Sequence, residues 1–424
     1  MTRLAVAVPT RNRADLAKAA VRSVLREAHP DITVVVSDNS TDDGDREELA
    51  EFCAQQAPGR VEYVRPPQPL EMAAHWEWVR RVVQSRGAHT HLTYLTDRMV
   101  FLAGALAELV EIVARHPERV LSYHHDRVED RALPAELVQT QWTGRLLELD
   151  ACRLIDLSRR GMWGDYLPRM LNSIVPLSVL TAIEDRFGSV FAPVSPDYRF
   201  AYRCLATCDA VLYLDRACLI ERGMTRSAGI SYAKGKSNRD AADFQLALST
   251  PLFSATPEPA FATVANAIYD EYFAVRRETG GSRFPAVDRR SYLAANAASV
   301  DRIEDPAWKL RMQEILSRHG WTRRDRARET IDLALMMAGY FIRHPAAFAR
   351  SAKRQLLDRP PGTPLALLLP RIGIDPRLRD ELRFQSSAEA ITHAEAHPRP
   401  RTASAWHTHR LRQAGAIIRI VPRE

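Results

Sequence analysis

The feature that most constrains the fold is an alternation of short apolar runs with helical repeats along the N-terminal part of the chain. Runs rich in β-branched and aromatic residues predict β-strands at residues 3–10, 32–38, 60–65, 90–97 and 119–125. Apolar residues at helical spacing predict helices at 16–25, 70–84 and 104–116. Because parallel strands need a crossover connection, this order predicts an α/β domain with a doubly wound, mostly parallel sheet flanked by helices.

The pattern changes in the second half of the chain. A helix is predicted over residues 166–187 and a strand over 210–215. Further helices are predicted at 241–249, 260–278, 291–299 and 328–357. We therefore expect three parts: an α/β domain over residues 1–235, a mainly helical C-terminal region over 236–358, and a basic, partly ordered tail over 359–424.

The C-terminal part is basic while the rest of the chain is neutral. Residues 350–424 hold 14 Lys and Arg against 7 Asp and Glu, which accounts for the whole formal net charge of +7. A basic segment on a neutral body suggests peripheral contact with an anionic membrane, although an arginine-rich composition alone would look the same. Nucleic acid is the weaker alternative, because the body carries no net charge. The apolar runs at 365–370 and 416–421 are the candidates for docking.

Cysteine spacing and apolar stretches bear on the compartment. The five cysteines fit no zinc or thioredoxin pattern, which favours a reducing environment. The N-terminal apolar run is too short for a signal peptide, and no stretch approaches the roughly 20 apolar residues of a membrane span. We therefore expect a cytoplasmic location, with peripheral contact at the inner face of the membrane.

Polar residues stand where three of the predicted strands end. Thr10 and Arg11 end the first strand, Asp38 and Asn39 the second, and Asp97 the fourth. The carboxyl ends of parallel strands meet at one edge of a sheet, where open α/β sheets bind their ligands. The alternative is that these side chains only cap turns and helices. Three aligned ends favour a ligand site, whereas the sequence has neither a G-x-G-x-x-G motif nor a P-loop.

Four sequence blocks carry a resemblance to a known family. The first two, VAVPTRNR and DITVVVSDNSTDD, are followed by PLEMAAHWEWVRRVV and LTYLTDRMVFLAGAL. Over about residues 3–235 the chain resembles the family 2 glycosyltransferases, which have the GT-A fold. The positions that match the motifs of the family are Pro9, Thr10, Asn12, Asp38, Asn39, Ser40 and Asp42.

The resemblance implies a site for a nucleotide-sugar donor. Its residues would be Pro9, Thr10, Arg11, Asp38, Asn39, Asp97 and Arg98. Thr10, Arg11 and Asp38 would line the pocket of the base, and Asp97 would lie under the ribose and diphosphate. A carboxylate suits a base edge or a ribose hydroxyl directly, but beside a diphosphate it needs a cation.

The sequence departs from the family at the fourth strand. The family usually carries a cluster of acids there, but here Arg98 and Met99 follow Asp97. A guanidinium and a thioether are poor ligands for Mg²⁺ or Mn²⁺. Either Arg98 replaces the metal by pairing with phosphate oxygens, or the chain binds a donor without catalysis. A divalent cation at Asp97 therefore stays an open expectation, and no organic cofactor is expected.

A second carboxylate is needed to deprotonate the acceptor hydroxyl. Asp197 follows a proline at a predicted helix start, and the family has a base aspartate at a comparable place. The alternative is that Asp197 only complements the helix dipole. Asp165, Glu184 and Asp185 are the other candidates.

We therefore expect an inverting, hexosyltransferase-type enzyme of bacterial polysaccharide biosynthesis. Its donor would be a UDP- or dTDP-sugar, and its acceptor a saccharide or a lipid-linked saccharide. The alternative is a non-catalytic module that binds nucleotide sugars with a degenerate metal site. His75, His124 and His125 lack the spacing of metal ligands and are interpreted as ordinary polar residues.

Overall fold

The computed structural model describes residues 2–226, 253–343, 345, 377–399, 401–403 and 405–422. The helix predicted at 241–249 and the apolar run at 365–370 lie outside these ranges. No helix within the described ranges is both long enough and apolar enough to cross a membrane.

Twelve strands of the described residues form one mixed sheet. They are β1 (Leu4–Thr10), β2 (Ile32–Asp38), β3 (Val61–Val64), β4 (His91–Tyr94), β5 (Met99–Phe101), β6 (Leu121–Glu129), β7 (Ala135–Thr140), β8 (Leu146–Asp150), β9 (Ser173–Pro176), β10 (Ala210–Glu221), β11 (Arg377–Phe384) and β12 (Ile417–Val421).

Helices flank the sheet and dominate the later part of the chain. The first seven are α1 (Ala14–Leu25), α2 (Asp43–Ala54), α3 (Met72–Ser85), α4 (Ala105–Arg115), α5 (Ala151–Arg159), α6 (Leu177–Phe187) and α7 (Pro196–Thr207). The others are α8 (Val264–Glu278), α9 (Arg289–Asp301), α10 (Pro306–Arg318), α11 (Arg323–Arg343), α12 (Ser387–Ala396) and α13 (Trp406–Gln413).

The strand order of the sheet is β12-β8-β10-β6-β9-β4-β1-β2-β3. The run β4-β1-β2-β3 is parallel, as is the pair of β6 with β10, whereas β9 joins the two halves through antiparallel pairs. All seven residues of β1 are buried, as expected for a central strand covered on both faces. The α/β fold with helices flanking the sheet, followed by a mainly helical region, is thus confirmed.

The register of the parallel strands brings their carboxyl ends to one edge. Thr10 of β1 is the partner of Asp38 of β2, and Ala7 is the partner of Tyr94 in β4. The chain after Tyr94 therefore continues beside the last residues of β1, and this places Asp97 near Thr10. The edge predicted from the sequence is formed.

The packing of the sheet is divided between its two faces. On one face Trp76 of α3 packs near Tyr94 and Phe191, with ring centroids 5.2 and 5.4 Å from that of Trp76. On the other face Val21 and Leu109 belong to the core that α1 and α4 cover. The helical region has a separate aromatic and aliphatic core. Apolar burial on both faces is what fixes the strand ends in place.

The single helix predicted over residues 166–187 is wrong. The chain forms a short 3₁₀ turn, then β9 (Ser173–Pro176), and only then α6. Ile174 and Val175 are β-branched and fully buried between β4 and β6, where strand pairing outweighs their helical spacing. Pro176 has no backbone N–H, so it ends the strand and precedes the helix.

The end of the chain docks on the sheet. β12 pairs with β8, and β11 pairs with β7. Leu411 and Val421 lie in the two cores of the sheet. The apolar run at 416–421 is thus part of the sheet, while the two boundaries between the three predicted parts stay predictions.

Candidate active site

A direct contact joins the ends of β1 and β4. The Thr10 hydroxyl donates to Oδ2 of Asp97 over 2.9 Å, and both residues are buried. The guanidinium of Arg13 lies 3.2 Å from the same oxygen, measured from its Nε. Asp97 is therefore held by a hydroxyl and a cation, and both contacts use the same carboxylate oxygen.

Asp38 is fully buried and hydrogen-bonded through both oxygens. Its Oδ1 accepts from the backbone N–H of Ser40 over 2.8 Å. Its Oδ2 accepts from the Tyr63 hydroxyl over 2.7 Å and from Arg65 over 3.1 Å. In this arrangement Asp38 fixes Tyr63 and Arg65, and the Arg65 side chain is 31% exposed at the rim above it.

The other polar residues of the two motifs bind the loops together. Asn12, at a positive φ of 54°, accepts from the backbone N–H groups of Thr41 and Asp42. The Asn39 amide exchanges two hydrogen bonds with the backbone of Leu70. Asp42 caps α2 through the N–H of Asp45. These side chains therefore hydrogen-bond to the backbone of loops and helix ends, as the alternative interpretation of the sequence predicted.

Arg11 lies near a buried, neutral imidazole. His75 of α3 contacts the Ser37 hydroxyl at 2.7 Å. Burial, with a further contribution from the charge of Arg11, lowers the pKa of His75 to about 4, although Asp38 opposes the shift. The Nε of Arg11 is buried and has no hydrogen-bond partner among the described residues. Its guanidinium adds a positive charge at the end of β1.

Arg98 forms an ion pair away from Asp97. Its Nη1 lies 3.0 Å from the carboxylate of Glu221, at the end of β10. Burial alone would raise the pKa of Glu221, but Arg98, His125 and Arg127 lower it overall. Met99 is buried in β5 and packs in the core. Arg98 is therefore ion-paired with Glu221, and Met99 is a residue of the apolar core.

The residues around Asp97 do not fit a divalent cation. No group of three His, Cys, Asp or Glu side chains in the described part of the chain includes Asp97. The Arg13 guanidinium lies against Asp97, and a positive charge there disfavours a second cation.

These strand ends lie within a stretch that matches a known family. Residues 5–158 match the model of the family described as "Glycosyl transferase family 2". The match covers a little over a third of the chain, and it includes the ends of β1, β2 and β4. The predicted donor residues from Pro9 to Arg98 all fall inside the matched stretch, and Asp197 falls beyond it.

Solved structures share a more distant likeness with this chain. For S. aureus TarS 1-349 in complex with UDP-GlcNAc, the identity is 14% and the TM-score 0.43, over 71% of this chain and 82% of that one. For TarS 1-349 in complex with UDP, the values are 13% and 0.40, over 75% and 89%. These values are too low to transfer a residue or a role. No curated protein matches this chain in sequence.

Beyond the matched stretch, Asp197 lies in the first turn of α7. The Ser195 hydroxyl donates to its Oδ1 over 3.2 Å, and Arg169 lies 4.0 Å from its Oδ2. Burial raises the pKa of Asp197, although Arg169 and Ser195 partly offset the shift. A carboxylate with a raised pKa is a stronger base than an exposed aspartate, but a position in the first turn also suits the helix dipole.

Arg169 connects Asp197 to the rest of the site. It pairs with Asp165 at 2.7 Å, and its guanidinium lies 5.5 Å from the centre of the Tyr198 ring. Burial would lower the pKa of Arg169, but Tyr198, Asp165, Asp197 and Glu221 raise it overall. Because Glu221 also pairs with Arg98, charged side chains run from Arg98, next to Asp97, to Asp197.

The other base candidates lie in different settings. Asp165 contacts His124, His125 and Arg169, and although burial opposes the shift, its interactions with these three side chains hold the pKa of Asp165 well below its usual range. Glu184 is paired with Arg80 at 2.7 Å. Asp185 is exposed on α6. Asp197 is therefore the candidate whose pKa is raised and which also lies near Arg169, in the series of charged side chains that leads to Arg98.

Sequence reasoning did not find several partners in this site. Tyr63 lies in β3, the strand that pairs with β2, and Arg65 follows the end of β3. Their position at the end of a predicted strand was the signal that could have found them. The partnerships of Arg98 with Glu221 and of Arg169 with Asp197 join residues far apart in the chain, so spacing carried no signal.

Proposed function

We propose that this chain transfers a sugar from a UDP- or dTDP-linked donor to a saccharide or lipid-linked acceptor with inversion. The observation that carries the proposal is the position of the joined Thr10 and Asp97 inside the family 2 match. A hydroxyl and a carboxylate at the carboxyl edge of a parallel sheet are suited to bind the sugar and base of a nucleotide.

We assign the nucleoside to the strand ends. Asp97 Oδ2 is occupied by Thr10 and Arg13, so Oδ1 is the oxygen for the ribose hydroxyls. The base would lie towards Asp38, between the rim residues Tyr63 and Arg65. Pro9 and Asn39 would shape the pocket through the backbone they fix.

Arginines take the role of the metal in this proposal. The diphosphate would meet the guanidinium groups of Arg11 and Arg13, which lie at the end of β1. Arg98 would reach phosphate by exchanging its partner Glu221. Guanidinium groups bind phosphate oxygens with two hydrogen bonds, so they can neutralise charge on the leaving group without a divalent cation.

Asp197 is assigned as the general base. It would take the proton of the acceptor hydroxyl while that oxygen forms a bond to the anomeric carbon. The bond from this carbon to the diphosphate oxygen breaks, and the diphosphate leaves with the electron pair. Attack opposite the leaving group gives inversion. Arg169 would hold the carboxylate in place without neutralising it by proton transfer.

The test of this function is a donor screen read by product mass spectrometry. Asp197→Asn removes the base while it keeps the shape of the side chain, so turnover should fall by about 10²- to 10⁴-fold with donor binding retained. Asp209→Asn is the matched control, because Asp209 is fully exposed at the other end of α7. Near-normal turnover of Asp197→Asn would show that the base has been misassigned.

A second candidate function is a non-catalytic module that binds nucleotide sugars. The pairing of Asp97 with Arg13, in place of an acidic cluster, is the observation that favours it. Such a module would bind UDP or dTDP in calorimetry, yet the donor screen would give no transfer and no hydrolysis with any sugar nucleotide.

A further inference from the structure

Three side chains from distant parts of the chain converge below Asp165. His124 lies on β6, Asp215 on β10 and His407 on α13. The Nε2 atoms of the two histidines are 2.9 Å apart, and they lie 3.3 Å (His124) and 2.6 Å (His407) from Oδ1 of Asp215. His124 and Asp215 are buried, and the His407 side chain is 12% exposed. One point in the interior is thus surrounded by three ligand atoms.

Protons cannot satisfy these three contacts together. Each imidazole Nε2 carries at most one proton. If both nitrogens are protonated towards Asp215, two N–H donors face each other across 2.9 Å; if only one is, two lone pairs remain in contact. The Tyr213 hydroxyl contacts the same Nε2 of His124, so a third group competes for the single hydrogen-bonding position of that nitrogen. A cation between the three atoms would accept all their lone pairs at once.

The spacing of the three atoms fits a small divalent ion. Zinc binds imidazole nitrogen and carboxylate oxygen at about 2.0–2.2 Å, so its ligands stand about 3.3 Å apart in a tetrahedron. The observed separations of 2.6, 2.9 and 3.3 Å allow an ion at such a distance from all three atoms, about 1 Å out of their plane. Only small movements of the two rings would complete the geometry.

The surrounding hydrogen bonds orient these side chains as metal ligands are usually oriented. Nδ1 of His124 lies 3.1 Å from Asp165, a carboxylate–histidine pair that directs Nε2 inwards. Oδ2 of Asp215 accepts from the backbone N–H of Thr143 over 3.0 Å and from the Thr408 hydroxyl over 2.9 Å. These bonds leave Oδ1 of Asp215 to face the two histidines.

We infer that His124, Asp215 and His407 form a structural site for a divalent transition metal, with Zn²⁺ the best match. Two imidazoles and one carboxylate suit zinc, whereas Mg²⁺ and Ca²⁺ prefer oxygen ligands throughout. The ion would fasten α13 to β6 and β10, directly below the pair of Asp165 with Arg169. The inference is independent of the sugar-transfer proposal.

The test is metal analysis of the full chain after removal of any affinity tag. We expect about one zinc per chain, and in metal-depleted protein the visible bands of four-coordinate Co²⁺. His407→Ala should weaken zinc binding by at least about 100-fold, and Asp165→Asn by about 10- to 100-fold. The control is His393→Ala, because His393 of α12 stacks on His397, which follows the helix, and the two form a competing surface pair.

Two results would overturn the inference. One is wild-type protein that neither retains zinc nor gives the Co²⁺ bands, a measurement that does not depend on the folding of any variant. The other is zinc that survives His407→Ala but disappears in His393→Ala, which would mark adventitious binding to the surface of α12. Loss of zinc in His407→Ala, with unchanged circular dichroism and full occupancy in His393→Ala, supports the site.

Discussion

Burial of single side chains controls charge at the strand ends. Asp38 and Asp97 are enclosed, and each is stabilised by an arginine and a hydroxyl group. His75 lies behind them as a neutral ring that contacts Ser37. In the proposed function, the charges that would meet a donor diphosphate are therefore those of guanidinium groups, and for this reason we propose a site without an acidic cluster.

His75 should make the protein sensitive to acid. Its pKa is lowered to about 4 in the folded chain, against about 6.5 for an unperturbed histidine, so the unfolded chain takes up the proton first as the pH falls. The stability that the neutral ring contributes is present above pH 6.5 and is lost between pH 6.5 and 4, by on the order of 3 kcal/mol.

His75→Gln keeps a hydrogen-bonding side chain but removes this titration. Its free energy of unfolding, measured by denaturant titration at several pH values, should fall less than that of the wild type between pH 6.5 and 4. His397→Gln, at an exposed position just after α12, controls for the loss of a histidine. Parallel curves for wild type and His75→Gln would contradict the account.

Residues at strand ends were predictable, and their distant partners were not. Thr10, Asp38 and Asp97 follow apolar runs, so the rule that parallel strands end at one edge was enough to group them. Nothing local marks Glu221 as the partner of Arg98. The interpretation of His124 as an ordinary polar residue rested on spacing within one segment, whereas Asp215 and His407 approach it through tertiary folding.

At the scale of elements, the end of α5 couples the sheet domain to the helical region. Gly161 has φ of 72°, and the N–H groups of Gly161 and Met162 bond back to carbonyls of the last turn of α5. A Cβ at Gly161 would lie 2.9 Å from the Cβ of Ala295 in α9 and 3.3 Å from the Tyr269 hydroxyl. Both the backbone angle and the close approach of α9 require glycine.

Gly161→Ala should therefore be destabilising by about 2–4 kcal/mol, from a strained left-handed alanine and from crowding against α9. Gly59→Ala is a matched control, because Gly59 has φ of 77° but no atom within 4 Å of the added Cβ. It should cost only the backbone term, about 1–2 kcal/mol. Chemical denaturation followed by circular dichroism measures both, and equal losses would mean that contact with α9 contributes nothing.

Element prediction worked where one pattern dominated. Five strands and three helices of residues 3–125 were predicted from apolar spacing, whereas α2 and β5 were not. Residues 166–187 hold the β-branched Ile174 and Val175 inside a helical repeat. These residues form a strand because they pair with β4 and β6. The local sequence does not show that these two partners are available.

At the scale of the whole molecule, the sheet unites the two ends of the chain. The family 2 match covers residues 5–158, yet β10, β11 and β12 come from later parts and pair with strands inside or beside the match. The site depends on this union, because β10 carries Glu221, the ion-pair partner of Arg98. The cytoplasmic location and membrane contact stay predictions.

The most direct test of the central claim is calorimetric titration of the full chain with UDP and dTDP, in buffer without added divalent cation. We predict binding of at least one nucleotide by the wild type, and at least about tenfold weaker binding by Asp97→Asn, a loss of about 1.4 kcal/mol or more. Asp43→Asn, at an exposed position of α2, should bind like the wild type. No binding of either nucleotide, or equal affinity in Asp97→Asn, would contradict a donor site at the ends of β1, β2 and β4.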